Sequence, residues 1–144
     1  MLITKKKIVQ VSRKWLGTPF HLHGRIKHEG CDCIGLILCV ANELDLYSKL
    51  GVPIIQYDCF DYSIESGKLL YDFLECHLCK KEDFTIGDVL LFKINKVYFH
   101  CGIVADYREN QYSLIHACIR RKKVIEHRIL NYLKNNILSC YAFM

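Results

Sequence analysis

The chain has 144 residues, of which 51% are hydrophobic and 24% charged, with a formal net charge of +5. That length and balance fit one globular domain spanning 1–144 and exclude a disordered or low-complexity chain. No apolar run approaches the roughly 18 residues of a membrane span, so membrane insertion is not expected.

The N-terminal stretch "MLITKKKIVQVSRKW" has lysines but no apolar segment behind them and no small-residue cleavage site, so it does not read as a secretory signal. The expectation is a protein made in the cytoplasm. Nine cysteines, an odd number, then argue against a disulfide framework. The basic clusters at Lys5–Lys7 and Arg120–Lys123 suit an anionic partner or a plain solvated face.

In chain order, Ile8, Val9, Val11, Trp15 and Leu16 fall near helical spacing and predict an amphipathic helix over 5–16, ended by Gly17-Thr18-Pro19. A polar loop containing His21, His23 and His28 leads into "CDCIGLILCVANELDL". There Ile34, Ile37, Leu38, Ala41 and Leu44 recur at helical intervals behind Asp32, a capping residue, and predict a buried central helix.

"GVPIIQYDCFDYS" reads as an irregular loop, and "SGKLLYDFLECHLCKK" as a second amphipathic helix. After Gly87-Asp88 the pattern changes to β-branched and aromatic runs: "VLLFKI", "VYFHCGIVAD", "YSLIHACI", "KVIEHRI" and "LSCYAF". Breaks at Asn95-Lys96 and Arg108-Glu109-Asn110 separate the first three. Helices followed by a run of strands predict an α+β fold with an antiparallel sheet.

Several motifs fall short of a site. Cys76 and Cys79 make a lone CxxC, without the second pair a four-coordinate zinc site needs. The loop histidines fit no common metal spacing, so neither metal nor cofactor is expected. There is no Gly-rich phosphate loop, no Ser-based elbow and no nucleic-acid-binding pattern, so no nucleic-acid partner is expected.

Cys33 stands out because it opens the predicted central helix. A free thiol ionises near pKa ~8.5, and the positive end of a helix favours its thiolate. Gly35 lets another element approach that first turn closely. A nucleophilic cysteine needs a base and a group that orients the base. His100 and His116 lie inside predicted strands. If these strands are antiparallel neighbours, both side chains can share the sheet face that packs the Cys33 helix, giving a Cys–His–His relay. Histidines in strands are also often satisfied structural groups, so periodicity alone leaves both readings open.

The blocks "WLGTPF", "GCDCIGLI", "GDVLLF" with "HCGIVAD", and "LIHA", in that order, resemble the NlpC-type cell-wall cysteine peptidases. The likeness covers nearly the whole chain. It is closest to the small branch encoded among the tail genes of phages, prophages and gene transfer agents, which also resembles "LLYDFLECHL" and "VIEHRI". The resemblance implies a compact papain-like fold with the nucleophile helix on an antiparallel sheet. It further implies Cys33 as nucleophile, His100 as general base and later acid, and His116 as the orienting residue.

Asp32, Phe20 and Trp15 become candidate substrate-binding residues on the same ground. The implied reaction is hydrolysis of a stem-peptide amide in peptidoglycan, commonly D-γ-glutamyl-diamino acid, through a thioester. The implied setting is a phage-like particle whose tail proteins carry the enzyme to the wall. Two departures stand out. Phe20 replaces a tyrosine common after "GTP", and Ile34 replaces a serine common after the nucleophile. Cys31 lies just before the predicted cap and is the rival thiol, while Cys39, Cys101 and Cys118 read as buried.

Phe20 favours a rival reading, a structural tail-tip component with weak or no hydrolysis. The intact Cys33, His100 and His116 set opposes it. An amidase or acyltransferase acting on a non-wall substrate is a further alternative, which an apolar pocket would favour.

Overall fold

The computed structural model describes residues 3–58, 67–94, 98–108 and 111–143. Helix α1, Lys5–Arg13, starts where the Thr4 hydroxyl accepts from the Lys7 N–H, and buries Ile8, Val9, Val11 and Ser12. It is shorter than the 5–16 expected from spacing. Trp15 nevertheless remains in the core at 2% exposure, its indole N–H donating to Glu43 3.0 Å away.

The polar loop contains a small hairpin, β1 (Arg25–Ile26) against β2 (Gly30–Cys31). Helix α2, Cys33–Glu43, follows with Asp32 as its N-cap, as its sequence predicts. Every residue of α2 from Cys33 to Ala41 is buried, so this is the central helix of the core. A single 3-10 turn, Ile54–Tyr57, crosses the segment read as irregular, whose later part lies outside the described residues.

The second amphipathic helix forms as α3, Gly67–His77, but stops before the end expected from sequence. Cys79–Lys81 is instead strand β3, because it pairs with the last strand of the chain, a partner about sixty residues away that no local pattern reveals. Cys76 is exposed and Cys79 half-buried, so the CxxC does not lie along one inner helix face.

The remaining strands are β4 (Val89–Ile94), β5 (Tyr98–Arg108), β6 (Gln111–Cys118), β7 (Lys123–Arg128) and β8 (Ile137–Ala142). The Asn95-Lys96 and Glu109-Asn110 breaks lie outside the described residues. A short helix, α4 (Asn131–Lys134), precedes β8. The six-stranded sheet has the order β3-β8-β4-β5-β6-β7, and its pairs are antiparallel.

Strand alternation gives this sheet two buried faces. One, with Val89, Leu91, Cys101, Ile103, Ala105, Ile115 and Ala117, shares a core with α1, α2 and α3. The other, with Leu90, Phe92, Val104 and Leu114, packs under Ile129 and Leu133. The buried Asp88 is paired with Lys5 at 3.2 Å and Lys81 at 2.6 Å, which ties the starts of α1 and β4 to β3. Among the described residues, no helix is long and apolar enough to cross a membrane.

Candidate active site

The site is built from two parts. The first is the start of α2. Asp32 is fully buried. Its Oδ1 accepts from the Gly35 N–H at 2.8 Å and from Arg25 Nη1 at 2.9 Å, and its Oδ2 accepts from the His23 N–H at 2.8 Å. Arg25 also holds Asp58 through both carboxylate oxygens at 3.0 Å. Burial pushes the Asp32 carboxyl up, and Arg25 and the two backbone donors act against that. Asp32 is therefore the cap that joins the hairpin to α2.

Gly35 is the reason this junction closes. A Cβ there would stand 2.5 Å from the Gly24 carbonyl oxygen and 2.7 Å from Arg25 Nη1. The close approach expected from the sequence is that of the β1 hairpin. Cys33 occupies the first position of α2, 5% exposed, at the positive end of an eleven-residue helix.

The competing thiols are placed differently. Cys31 lies in β2, fully buried, and burial pushes its thiol up to about 12. Cys39, on the second turn of α2, is raised by burial to about 11. Cys101 is fully buried and its thiol donates to the Cys33 carbonyl oxygen at 3.4 Å. Burial drives it well above the ordinary thiol range, and Cys33 pushes in the same direction. Cys118 is half-buried.

The second part is a row of histidines on the sheet. His100 on β5 and His116 on β6 are 4% and 8% exposed, and His100 Nε2 lies 2.6 Å from His116 Nδ1. Their rings meet edge to face at 76°. Gly102 makes room for this pair. A Cβ there would come within 3.0 Å of His116 Cβ and 2.8 Å of Leu114 Cδ1.

The two histidines share a face of the sheet. Cys101, Ile103 and Ile115 belong to the core beneath α2, whereas Val104 and Leu114 belong to the opposite cluster. By alternation His100 and His116 take the Val104 and Leu114 side. One link to α2 is Cys101, next to His100 in β5, whose thiol donates to the Cys33 carbonyl oxygen.

A third imidazole continues the row. His127 on β7, absent from the sequence expectations, sets its Nε2 2.7 Å from His116 Nε2, and its Nδ1 lies 3.1 Å from the Arg128 carbonyl oxygen. Its signal was available: in "KVIEHRI" His127 alternates with Ile125, which pairs with His116 on the neighbouring strand. Burial, followed by the neighbouring imidazoles, pushes His116 down to about 2, so His116 stays neutral.

The remaining sequence candidates lie nearby. Phe20 is half-buried, packs on the main core and is bridged by its backbone to Cys31, and its N–H donates to the Lys122 carbonyl. Trp15 is sealed in the core against Glu43, with the Lys27 ammonium 5.7 Å from its ring. The structure brings His100 and His116 into contact and Asp32 next to Cys33, while Trp15 sits in the packing beneath α2. Among the described residues, no three histidine, cysteine, aspartate or glutamate side chains group to hold a metal.

This architecture, helices on an antiparallel sheet with a cysteine opening the central helix, is the fold of the NlpC/p60 papain-like domains. No protein-family model and no curated protein matches the sequence. Among solved structures, the chain is similar to the NlpC/p60 domain of the peptidoglycan hydrolase SagA, with TM-score 0.63 and 18% identity over 97% of this chain and 99% of that one.

It is similar also to NlpC2 from Trichomonas vaginalis, with TM-score 0.61 and 19% identity, covering 96% of this chain but 45% of that one. A third is an N-acetylmuramoyl-L-alanine amidase from Bacteroides uniformis, with TM-score 0.54 and 15% identity over 95% of this chain and 96% of that one.

Proposed function

We propose that the protein is a cysteine peptidase that hydrolyses an amide of the peptidoglycan stem peptide, with Cys33 as nucleophile, His100 as base and His116 as the group that orients His100. The observation that carries this reading is the buried imidazole pair at 2.6 Å, which begins one residue from Cys101, the side chain that contacts Cys33. A buried histidine row in a sheet needs a reason, and orienting a base for a thiol at a helix start supplies one.

In the first half-reaction the Cys33 proton passes to His100 and Sγ attacks the amide carbonyl carbon. The amide C–N bond breaks, and the proton moves from His100 to the leaving amine. In the second, water gives a proton to His100 and adds to the thioester. The C–S bond breaks, His100 returns its proton to the Cys33 sulfur, and the carboxylic acid formed gives up its own proton to solvent. The positive end of α2 favours the thiolate and the oxyanion. Phe20 has no hydroxyl to add to that stabilisation, so α2 carries more of it here than in relatives with tyrosine.

Two wall amides are in question. The sequence resemblance favours D-γ-glutamyl-diamino acid, and the likeness to the Bacteroides amidase favours N-acetylmuramoyl-L-alanine. The tail-borne setting, with phage-like tail proteins as partners, rests on the sequence resemblance alone. Digestion of purified peptidoglycan with wild type and Cys33→Ala, followed by mass analysis, tests the proposal. Fragments from wild type only support it, and their masses identify the bond. No fragments from either protein, or equal fragments from both, overturn it.

A further inference from the structure

The hydrogen bonds of the histidine row have a direction, and a backbone oxygen at the far end sets it. A carbonyl oxygen only accepts, so His127 Nδ1, 3.1 Å from the Arg128 carbonyl, carries a proton. A neutral imidazole has one N–H, which leaves His127 Nε2 as an acceptor. His116 Nε2, 2.7 Å away, must then be the donor. With its single proton on Nε2, His116 presents a lone pair at Nδ1. His100 Nε2, 2.6 Å from that lone pair, donates in turn. Neutral His100 then has its lone pair on Nδ1.

We propose that His127 is a positioning residue, the fourth member of the catalytic chain. It fixes the tautomer of His116, and through it makes Nδ1 the basic nitrogen of His100. The burial that keeps His116 neutral is what makes the relay strict, because an imidazole with one proton cannot donate at both ends. With one proton on each ring, reversing any one bond would require His127 to give up its bond to the Arg128 carbonyl. Gly102 holds the geometry by admitting the His116 ring beside β5.

The role rests on the reading of Cys33 and His100 as the hydrolytic pair, but the proton order does not. It is read directly by long-range proton–nitrogen correlation of the histidine rings in nitrogen-15-labelled protein at neutral pH. The expected spectrum has His127 protonated on Nδ1, and His116 and His100 on Nε2. His127→Phe removes the acceptor and should free His116 to populate its other tautomer. It should lower kcat about ten- to a hundredfold with KM little changed, the range for losing a partner that orients a reactive histidine. His127→Gln, whose amide oxygen can accept from His116, should recover most of the loss.

A His116 protonated on Nδ1 in wild type overturns the proposal. So does a His127→Phe enzyme with His116 tautomer and kcat unchanged. If His127→Phe does not fold, the wild-type spectrum and the Gln variant still decide. If wild type hydrolyses nothing, the peptidase reading falls while the ring spectra still test the proton order.

Discussion

On the side of the sheet that packs against α2, β5 and β6 present Cys101, Ile103, Ala105, Ile115 and Ala117, all buried and all small or aliphatic. On the other side the same strands present His100, Gly102, Val104, Leu114 and His116. Only one face carries imidazoles, and His100, His116 and His127 follow one another across three neighbouring strands. Burying polar rings in a sheet is tolerable only where their nitrogens find partners; the buried His100 and His116 bond each other, and the half-buried His127 ends the row on a carbonyl. The aliphatic face fixes where α2 sits. The imidazole face fixes the order of protons.

The largest effects should come from removing the groups that react. Cys33→Ala and His100→Ala should each lower hydrolysis by about a thousandfold or more, with the near-ultraviolet circular dichroism of the fold retained. Cys31→Ala should keep most of the activity in the same assay. A loss equal to that of Cys33→Ala would move the nucleophile to the hairpin side and break the comparison.

Next come the two glycines that let the parts meet. Gly35→Ala places a methyl against the Gly24 carbonyl, a backbone atom that cannot step aside, and should lower stability by about 1–3 kcal/mol in denaturant unfolding. Gly102→Ala presses on His116 and Leu114 instead. It should reduce activity more than it reduces the unfolding midpoint, because it displaces the relay and leaves the α2 core alone.

A smaller effect concerns acid. Unfolded His116 takes up a proton near pH 6.5, whereas the folded side chain resists protonation down to about 2. Below 6.5 the unfolded chain therefore binds more protons, and this group's contribution to stability falls as pH drops. Wild-type Tm should decline from about pH 7 to pH 5 more steeply than that of His116→Asn, measured by thermal melts. Equal slopes would mean that His116 is protonated in the fold.

Much of this architecture is legible in the chain. Asp32 followed by a helical apolar period gives the cap and α2, and histidines at alternating strand positions give His100 and His116. Other parts are invisible to local pattern. The strands β1 and β2 have two residues each, too few for any period, and β3 is a strand only because β8 returns to pair with it. That His100, His116 and His127 fall in one row depends on strand order and register, which only the paired sheet provides. Nor does the sequence show the polar partners of Asp32 and Trp15, which are Arg25, backbone donors and Glu43.

The most direct test of Cys33 as the activated thiol is its rate of alkylation by iodoacetamide in the native protein at about pH 6, where an ordinary thiol is almost wholly protonated. Peptide mass analysis would compare Cys33 with the exposed Cys76 in wild type and in His100→Ala. Cys33, although nearly buried, should react faster than Cys76 in wild type and lose that advantage without His100. Cys33 reacting no faster than Cys76, or reacting equally in both proteins, would contradict that role.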